Sequence, residues 1–377
     1  MTSMSSPAAT LAGRLLRSRA VAALTTPHSI DHYLTQVHPL WVAHEVRARI
    51  VDRHVEVDPD AAPGAAPVVT LTLQPTATWG GHRPGQHVSV GVELPGARRT
   101  TRVFTLSSHS SRPGERITLT IRARDEADHP GRSVSQFLTS PAALGAIVHL
   151  SQAEGDFVLP DRVPEHVVLI SGGSGITPVM AMLRSLQLRT HRGRIDFLHF
   201  AHTPEQQIFA DELELAAHSG NGLNLHRFYP GQGDPYLSPA LLERLVPGYA
   251  DVPTWVCGPS GLIEATRAAY SDQAIAAGTL RVEYFVPPRA TGAGGGTLTF
   301  ERSGTAVAND GAALLDQAEA AGLRPPSGCR MGICFSCVAT KRSGTVRNVL
   351  TGEVSSLPDD EIRICVSAAD GDCTLDL

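Results

Sequence analysis

The chain has 377 residues, 42% of them hydrophobic, and a formal net charge of -5. That length carries a prior of two to three domains, and that apolar share is enough to fill their cores. No stretch approaches the roughly 20 uninterrupted apolar residues of a membrane span, and no Lys/Arg block interleaved with aromatics offers a nucleic-acid footprint.

The chain opens on a segment unlike the rest: its first thirty residues hold Arg14, Arg17 and Arg19 and no acid. Arginines break its apolar run, which is too short for a signal-peptide core. An organellar presequence, a disordered leader and an amphipathic docking helix within residues 1–41 are the readings left open. With no export signal the protein is expected in the cytoplasm, peripheral at a membrane if that segment docks there. In such a reducing compartment, clustered cysteines are metal ligands or catalysts more often than disulfides.

From residue 42 to about 160, apolar residues mostly alternate ("VVTLTLQP", "HVSVGVEL", "RVFTLSS", "RITLTIRA") between turns such as "RPGQ" and "LPGA". This pattern predicts an antiparallel β-barrel. Residues 161–286 change to strand and helix in alternation, from "HVVLIS" through "RIDFLHF" and "PTWVCG" to "LRVEYF", which predicts an α/β domain on a parallel sheet. A Pro-then-Gly linker occupies 287–296. The last segment, 297–377, opens with the hairpin "TLTFERSGTAV" and a short helix stopped by Gly322, and it holds eleven Asp/Glu against seven Lys/Arg.

Four cysteines of that segment, Cys329, Cys334, Cys337 and Cys365, have the spacing C-x4-C-x2-C followed by 27 residues. This is the plant-type [2Fe-2S] spacing, in which three thiolates come from one tight loop and glycines such as Gly328 and Gly332 permit its turns. Zinc is the competing reading, but it favours paired CxxC or Cys/His knuckles, and only one CxxC is present. Cys373 falls outside the spacing and reads as a bystander.

"RVFT" puts Arg102, Phe104 and Thr105 on a predicted barrel strand, and "HPGRSVSQFL" puts Gly131, Ser133 and Ser135 ahead of a helical turn. Together they can hold a flavin diphosphate: Arg102 and the helix start at the phosphates, Phe104 over the ring, Thr105 at its N5 edge. "VVLISGGSGITPVM" follows a buried strand with Gly172, Gly173 and Gly175, and then Thr177 and Pro178, read as N-cap and first helical position. It departs from G-x-G-x-x-G, and a tight turn without ligand is its bland alternative. "WVCGPSGL" repeats the pattern with Cys257, Gly258 and Pro259, where Cys257 either lies against a nicotinamide or is a small core residue.

Taken in order, "RVFT", "GRSVS", "GGSGITP", "CGPSG", "EYF" and "SGCRMGICFSC" resemble the ferredoxin–NADP reductase superfamily fused to a C-terminal plant-type ferredoxin domain, over residues 42–377. The resemblance implies a flavin barrel, an NAD(P)H domain and a β-grasp cluster domain. It implies FAD rather than the FMN of some relatives, and a monomer that passes hydride electrons through flavin and cluster to a protein acceptor. Thr105, Cys257 and Glu283 would flank the reacting atoms, and Phe285 would close over the flavin. Phe104 stands where Tyr is commoner, which loses a hydroxyl and keeps the stacking face. "TTPHSIDHYLTQVHPLW" and the cluster sequence further resemble bacterial reductases of membrane fatty acyl desaturases. A ring-hydroxylating oxygenase, a cytochrome P450 and an alkane hydroxylase are the other acceptors, and a non-enzymatic redox sensor or carrier is the alternative of another class. "FLHFAHTPEQ" offers His202 and Thr203 but no acid directly after the strand, which favours NADPH over NADH.

Overall fold

The computed structural model describes residues 15–93, 99–124, 133–219, 222–271, 274–275, 277–285, 294–328, 330–332 and 335–377. The chain divides into two compact units, 1–283 and 284–377. Gly131, Cys329, Cys334 and most of the linker lie outside the described residues.

The first unit begins with two short helices, Arg19–Thr25 and Ile30–Val37. Six antiparallel strands follow: β1 (Val46–Val57), β2 (Val68–Pro75), β3 (His87–Val92), β4 (Thr100–Thr105), β5 (Ile117–Arg122) and β6 (Ile147–Leu150), in the order β4-β3-β6-β1-β2-β5. The outermost strands meet through a bridge between Leu106 and Leu119, which closes the sheet toward a barrel. Period-two alternation drives this: in β2 the Val69, Leu71 and Leu73 side chains are buried while Thr70 and Thr72 are not. Ile50, Val88, Ile117 and Trp79 complete the barrel core.

The same unit continues into a five-stranded sheet: β7 (His166–Gly172), β8 (Arg194–Phe200), β9 (Leu223–Phe228), β10 (Thr254–Gly258) and β11 (Leu280–Tyr284), in the order β11-β10-β7-β8-β9. The pairs β10–β7, β7–β8 and β8–β9 are parallel. Strand order turns back between β7 and β10, and ligands of such sheets bind in the crevice at the carboxyl ends of the strands on either side of that point. The Ile176–Leu188 helix, buried along most of its length, packs against both strands.

The second unit is a mixed sheet: β12 (Thr297–Phe300), β13 (Thr305–Ala308), β14 (Val338–Asn348), β15 (Val354–Ser355), β16 (Asp360–Arg363) and β17 (Ser367–Leu375). Its order is β13-β12-β17-β14-β15 with β16 on β14, and β12 runs parallel to β17. The Leu314–Ala320 helix buries Leu314, Leu315 and Ala318 in its core. The β-barrel, the parallel α/β sheet and the α+β ferredoxin-like unit are the three architectures the sequence predicts.

One local expectation fails. Thr177 and Pro178 are not N-cap and first helical position: a 3-10 turn over Gly173–Gly175 leads directly into a helix that begins at Ile176 with Gly175 as its cap. Pro178 then falls at the third helical position, where its missing N–H is still one of the unpaired first-turn donors, so the sequence tolerates the earlier start.

Candidate functional site

Arg102, Phe104 and Thr105 lie on β4 opposite Val90, Val88 and His87 of β3. Arg102 and Phe104 share one face of the strand. The Arg102 guanidinium donates to the carbonyl of Thr101 at 3.0 Å, Phe104 packs partly against the barrel core, and Thr105 is buried at the strand end. The helix Val134–Thr139 starts beside them with Ser133, not Ser135, as its cap; the Ser133 hydroxyl accepts from the backbone N–H of Gln136 at 3.4 Å. The two serine hydroxyls are 2.9 Å apart, and that of Ser135 accepts from the backbone N–H of Arg124 at 3.0 Å. These serine hydroxyls therefore tie the helix start to the Arg124 backbone and shape the loop.

Two glycine loops meet at the switch point of the parallel sheet. Cys257 on β10 is in register with Ser171 on β7, and Ser171 with His199 on β8. A Cβ on Gly175 would stand 2.3 Å from the Cys257 carbonyl oxygen, and one on Gly258 would stand 2.9 Å from the backbone N of Gly172. The two backbones thus touch directly, which only glycine allows, and Pro259 packs beside Gly172. Gly173 has φ +52, and nothing lies within 4 Å of the place a Cβ would take, so this position has room beside it. This loop packs against β5, the neighbour of the segment following Thr105. A guanidinium–carbonyl bond from Arg184 to Ser107 adds a second tie between barrel and sheet.

Cys257 is buried, and burial, with Glu283 as a second influence, pushes its thiol well above the usual range. It stays a neutral thiol at pH 7. Glu283 is pushed up to about 8 by burial, and its Oε2 has no hydrogen-bond partner. The residue keeps some accessible surface although its carboxyl atom is enclosed; the atom's environment decides its titration. A buried carboxyl oxygen without a partner keeps this group protonated at neutral pH. Phe285 is half-buried in the second unit.

The sequence reading missed the pair next to Cys257. Ser171 Oγ lies 2.8 Å from His199 Nδ1, and burial, reinforced by the charge of Arg122, holds His199 down at about 3, so it is neutral. The signal was a lone histidine inside the apolar strand "DFLHF". The strand leads to His202, whose carbonyl accepts from Gly231 at 3.0 Å. Beyond it comes Glu205, an acid of the Pro204–Gln206 turn whose carboxylate is held low first by the Thr203 side chain.

In the second unit Cys337 and Cys365 are buried and not joined by a disulfide: their sulfurs are 3.1 Å apart, well beyond the roughly 2.0 Å of an S–S bond. Two convergent thiols that are not joined in a disulfide are what a shared metal centre requires. Gly332, at φ +75, could not carry a Cβ, which would lie 2.8 Å from Val366. Arg363, also missed from sequence, donates to the Gly332 carbonyl, and its guanidinium lies 5.0 Å from the Phe335 ring centroid. It grips the cysteine loop on both sides of residues 333–334.

Comparison with known proteins fits this geometry. Residues 169–268 match the oxidoreductase NAD-binding domain family and residues 298–370 the 2Fe-2S iron-sulfur cluster binding domain family. An NADPH oxidoreductase of Mycobacterium tuberculosis is 37% identical over 95% of this chain and 91% of its own. This chain belongs to the ferredoxin–NADP reductase superfamily, in the branch with a C-terminal [2Fe-2S] domain. This superfamily member is an NAD(P)H oxidoreductase whose cofactors are FAD and a [2Fe-2S] cluster, and the reading as a non-enzymatic carrier falls. The reductase is also similar to the stachydrine N-demethylase reductase subunit of Rhizobium meliloti, 28% identical over 81% of this chain and 91% of that one. A phthalate dioxygenase reductase structure shares the fold, with TM-score 0.56 and 24% identity over 88% of this chain and 97% of that one. Among the described residues no helix is long and apolar enough to cross a membrane.

Proposed function

We propose that this protein is a monomeric reductase component of an oxygenase system, taking electrons from NADPH and handing them singly to a partner oxygenase. The observation that carries the reading is the direct backbone contact of the 172–175 and 257–258 loops beside the β4 end of the barrel, in a chain that continues into the cluster unit. When bound, the flavin supplies the conversion of one hydride into two single electrons, chemistry that no side chain here offers.

The chain's own residues do the positioning. Arg102, with Gly131, Ser133 and Ser135, would hold the flavin diphosphate, Phe104 would cover the ring, and Thr105 would lie at its N5 edge. The backbone N–H groups of Gly172, Gly173, Gly175 and Thr177 would face the nucleotide phosphates, with Pro178, which has no N–H, fixing the first helical turn behind them. Cys257, Gly258 and Pro259 would shape the nicotinamide end, and Glu283 would hold a proton beside the reacting atoms. Cys329, Cys334, Cys337 and Cys365 hold the cluster. The names of similar proteins support the acceptor class: besides the N-demethylase subunit, the 3-ketosteroid-9-alpha-monooxygenase ferredoxin reductase component of Mycobacterium tuberculosis is 30% identical over 77% of this chain and 84% of that one.

A membrane fatty acyl-CoA desaturase is the narrower reading, supported by the resemblance of residues 25–41 noted above. The NADPH oxidoreductase match, at 95% of the chain, leaves about 19 residues uncovered and so includes part of the 41-residue extension. The test is anaerobic addition of NADPH to the purified holoprotein. Bleaching of the flavin band and then the cluster band is expected; if neither band bleaches, the reading is wrong. Turnover of an added desaturase, compared with that of a soluble oxygenase, separates the two acceptors.

A further inference from the structure

Five of the fourteen exposed large apolar residues among those described, Leu15, Leu24, Tyr33, Val37 and Trp41, fall within 27 residues, 15–41. They are not scattered around this segment. Tyr33 and Val37 are four apart on the helix Ile30–Val37 and so share a face. The Tyr33 hydroxyl reaches the Thr25 carbonyl at 3.5 Å, next to Leu24, and the Trp41 ring lies 5.8 Å from that of His38, next to Val37. Leu24, Tyr33, Val37 and Trp41, all exposed, make up an apolar strip along this segment in chain order.

The opposite face of this helix fixes the segment in place. Asp31, two positions from Tyr33 and hence about half a turn away, is 1% exposed. Its carboxylate accepts the backbone N–H groups of Ala43 at 2.5 Å, His44 at 2.9 Å and Glu45 at 2.8 Å. The apolar strip is thus held outward by a specific anchor. The preceding helix, Arg19–Thr25, has no buried residue at all. Seven residues are too few for a helix that is stable on its own in water, so a surface to lie on would stabilise this one.

Charge selects that surface. Residues 1–41 carry three arginines and one acid, the buried Asp31, for a net +2, so the remaining 336 residues carry -7. An apolar strip with a Trp at one end and exposed Arg19 at the other, on an otherwise acidic protein, is complementary to an anionic lipid surface. We infer that residues 15–41 dock this reductase on the face of an anionic bilayer, with Leu24, Val37 and Trp41 entering the headgroup boundary. This goes beyond the reductase reading and does not depend on it.

Trp41 is a built-in reporter, because Trp79 and Trp255 are buried at 1% and 0% exposure while Trp41 is 54% exposed. The full holoprotein is mixed with vesicles of phosphatidylcholine alone or with one quarter phosphatidylglycerol, at low and high salt. Binding is read by co-sedimentation and by quenching of Trp fluorescence with brominated lipid. Partitioning onto the anionic vesicles is expected to exceed that onto the neutral ones by about tenfold, to weaken with salt, and to fall about tenfold in Leu24→Glu/Val37→Glu. Leu215→Glu, at another exposed apolar position (74%), should bind like the parent. The inference is overturned if the parent does not bind, or if Leu24→Glu/Val37→Glu binds equally well. It is also overturned if the protein self-associates without lipid and that variant is monomeric, in which case a second copy covers the strip. NADPH bleaching measured on the same samples reports separately on the reductase reading.

Discussion

Replacing Glu283 by Gln tests the physical account of the site most directly. Burial raises this carboxyl from 4.5 to about 8, and its Oε2 has no partner to offset ionisation. A displacement of that size corresponds to about 5 kcal/mol of preference for the protonated form once the pH is above both values, and partial relaxation reduces what a variant recovers to roughly 2–4 kcal/mol. The sign is set by proton uptake. The folded state holds the extra proton, so the contribution is fully present below about 4.5 and is lost as pH rises through 8. Gln cannot ionise, so Glu283→Gln should match the parent at pH 4.5 and exceed it in stability at pH 9. Urea unfolding of the holoprotein at several pH values, followed by circular dichroism and flavin fluorescence, gives the difference curve. Over the same range NADPH-driven flavin bleaching in the parent should slow as pH passes 8 and be flatter in the variant. Two parallel stability profiles from pH 5 to 9 would refute the buried, neutral carboxyl.

Gly175→Ala adds a Cβ 2.3 Å from a backbone oxygen at an ordinary φ, so the cost is steric: about 1–3 kcal/mol of stability, with a raised KM for NADPH in dye-reduction assays. Cys365→Ser should abolish the cluster absorption and reduction of a one-electron protein acceptor, while NADPH-driven flavin bleaching persists. Arg363→Gln removes a positive charge and the grip on the Gly332 carbonyl; a redox titration followed by electron paramagnetic resonance should show a lower cluster midpoint, with Arg363→Lys partly restoring it. Asp31→Ala strands three backbone donors and should cost about 2 kcal/mol locally, read as faster proteolysis within residues 15–45 at unchanged dye reduction.

The order of architectures was legible because burial periodicity changes along the chain. Alternation in "VVTLTLQP" and continuous apolar runs in "HVVLIS" are local signals, and each produced the element it announces. Helix starts were less legible. Thr177-Pro178 satisfies the local rule for a cap, yet the 3-10 turn at Gly173–Gly175 moves the start to Ile176, because the close approach of Gly175 to Cys257 is decided by a strand some eighty residues later. The same limit hid His199 and Arg363. A buried histidine paired with Ser171 depends on strand register between β7 and β8, and the hold of Arg363 on the cysteine loop depends on the pairing that sets Arg363 opposite Val338 at the start of β14. What a spacing rule reads well is a set of ligands close in sequence, as with the cysteines. What it cannot read is the side chain that a distant strand brings to them: His199 and Arg363 were out of reach for that reason, and for Glu283, named from the resemblance, the burial that raises its carboxyl was not legible.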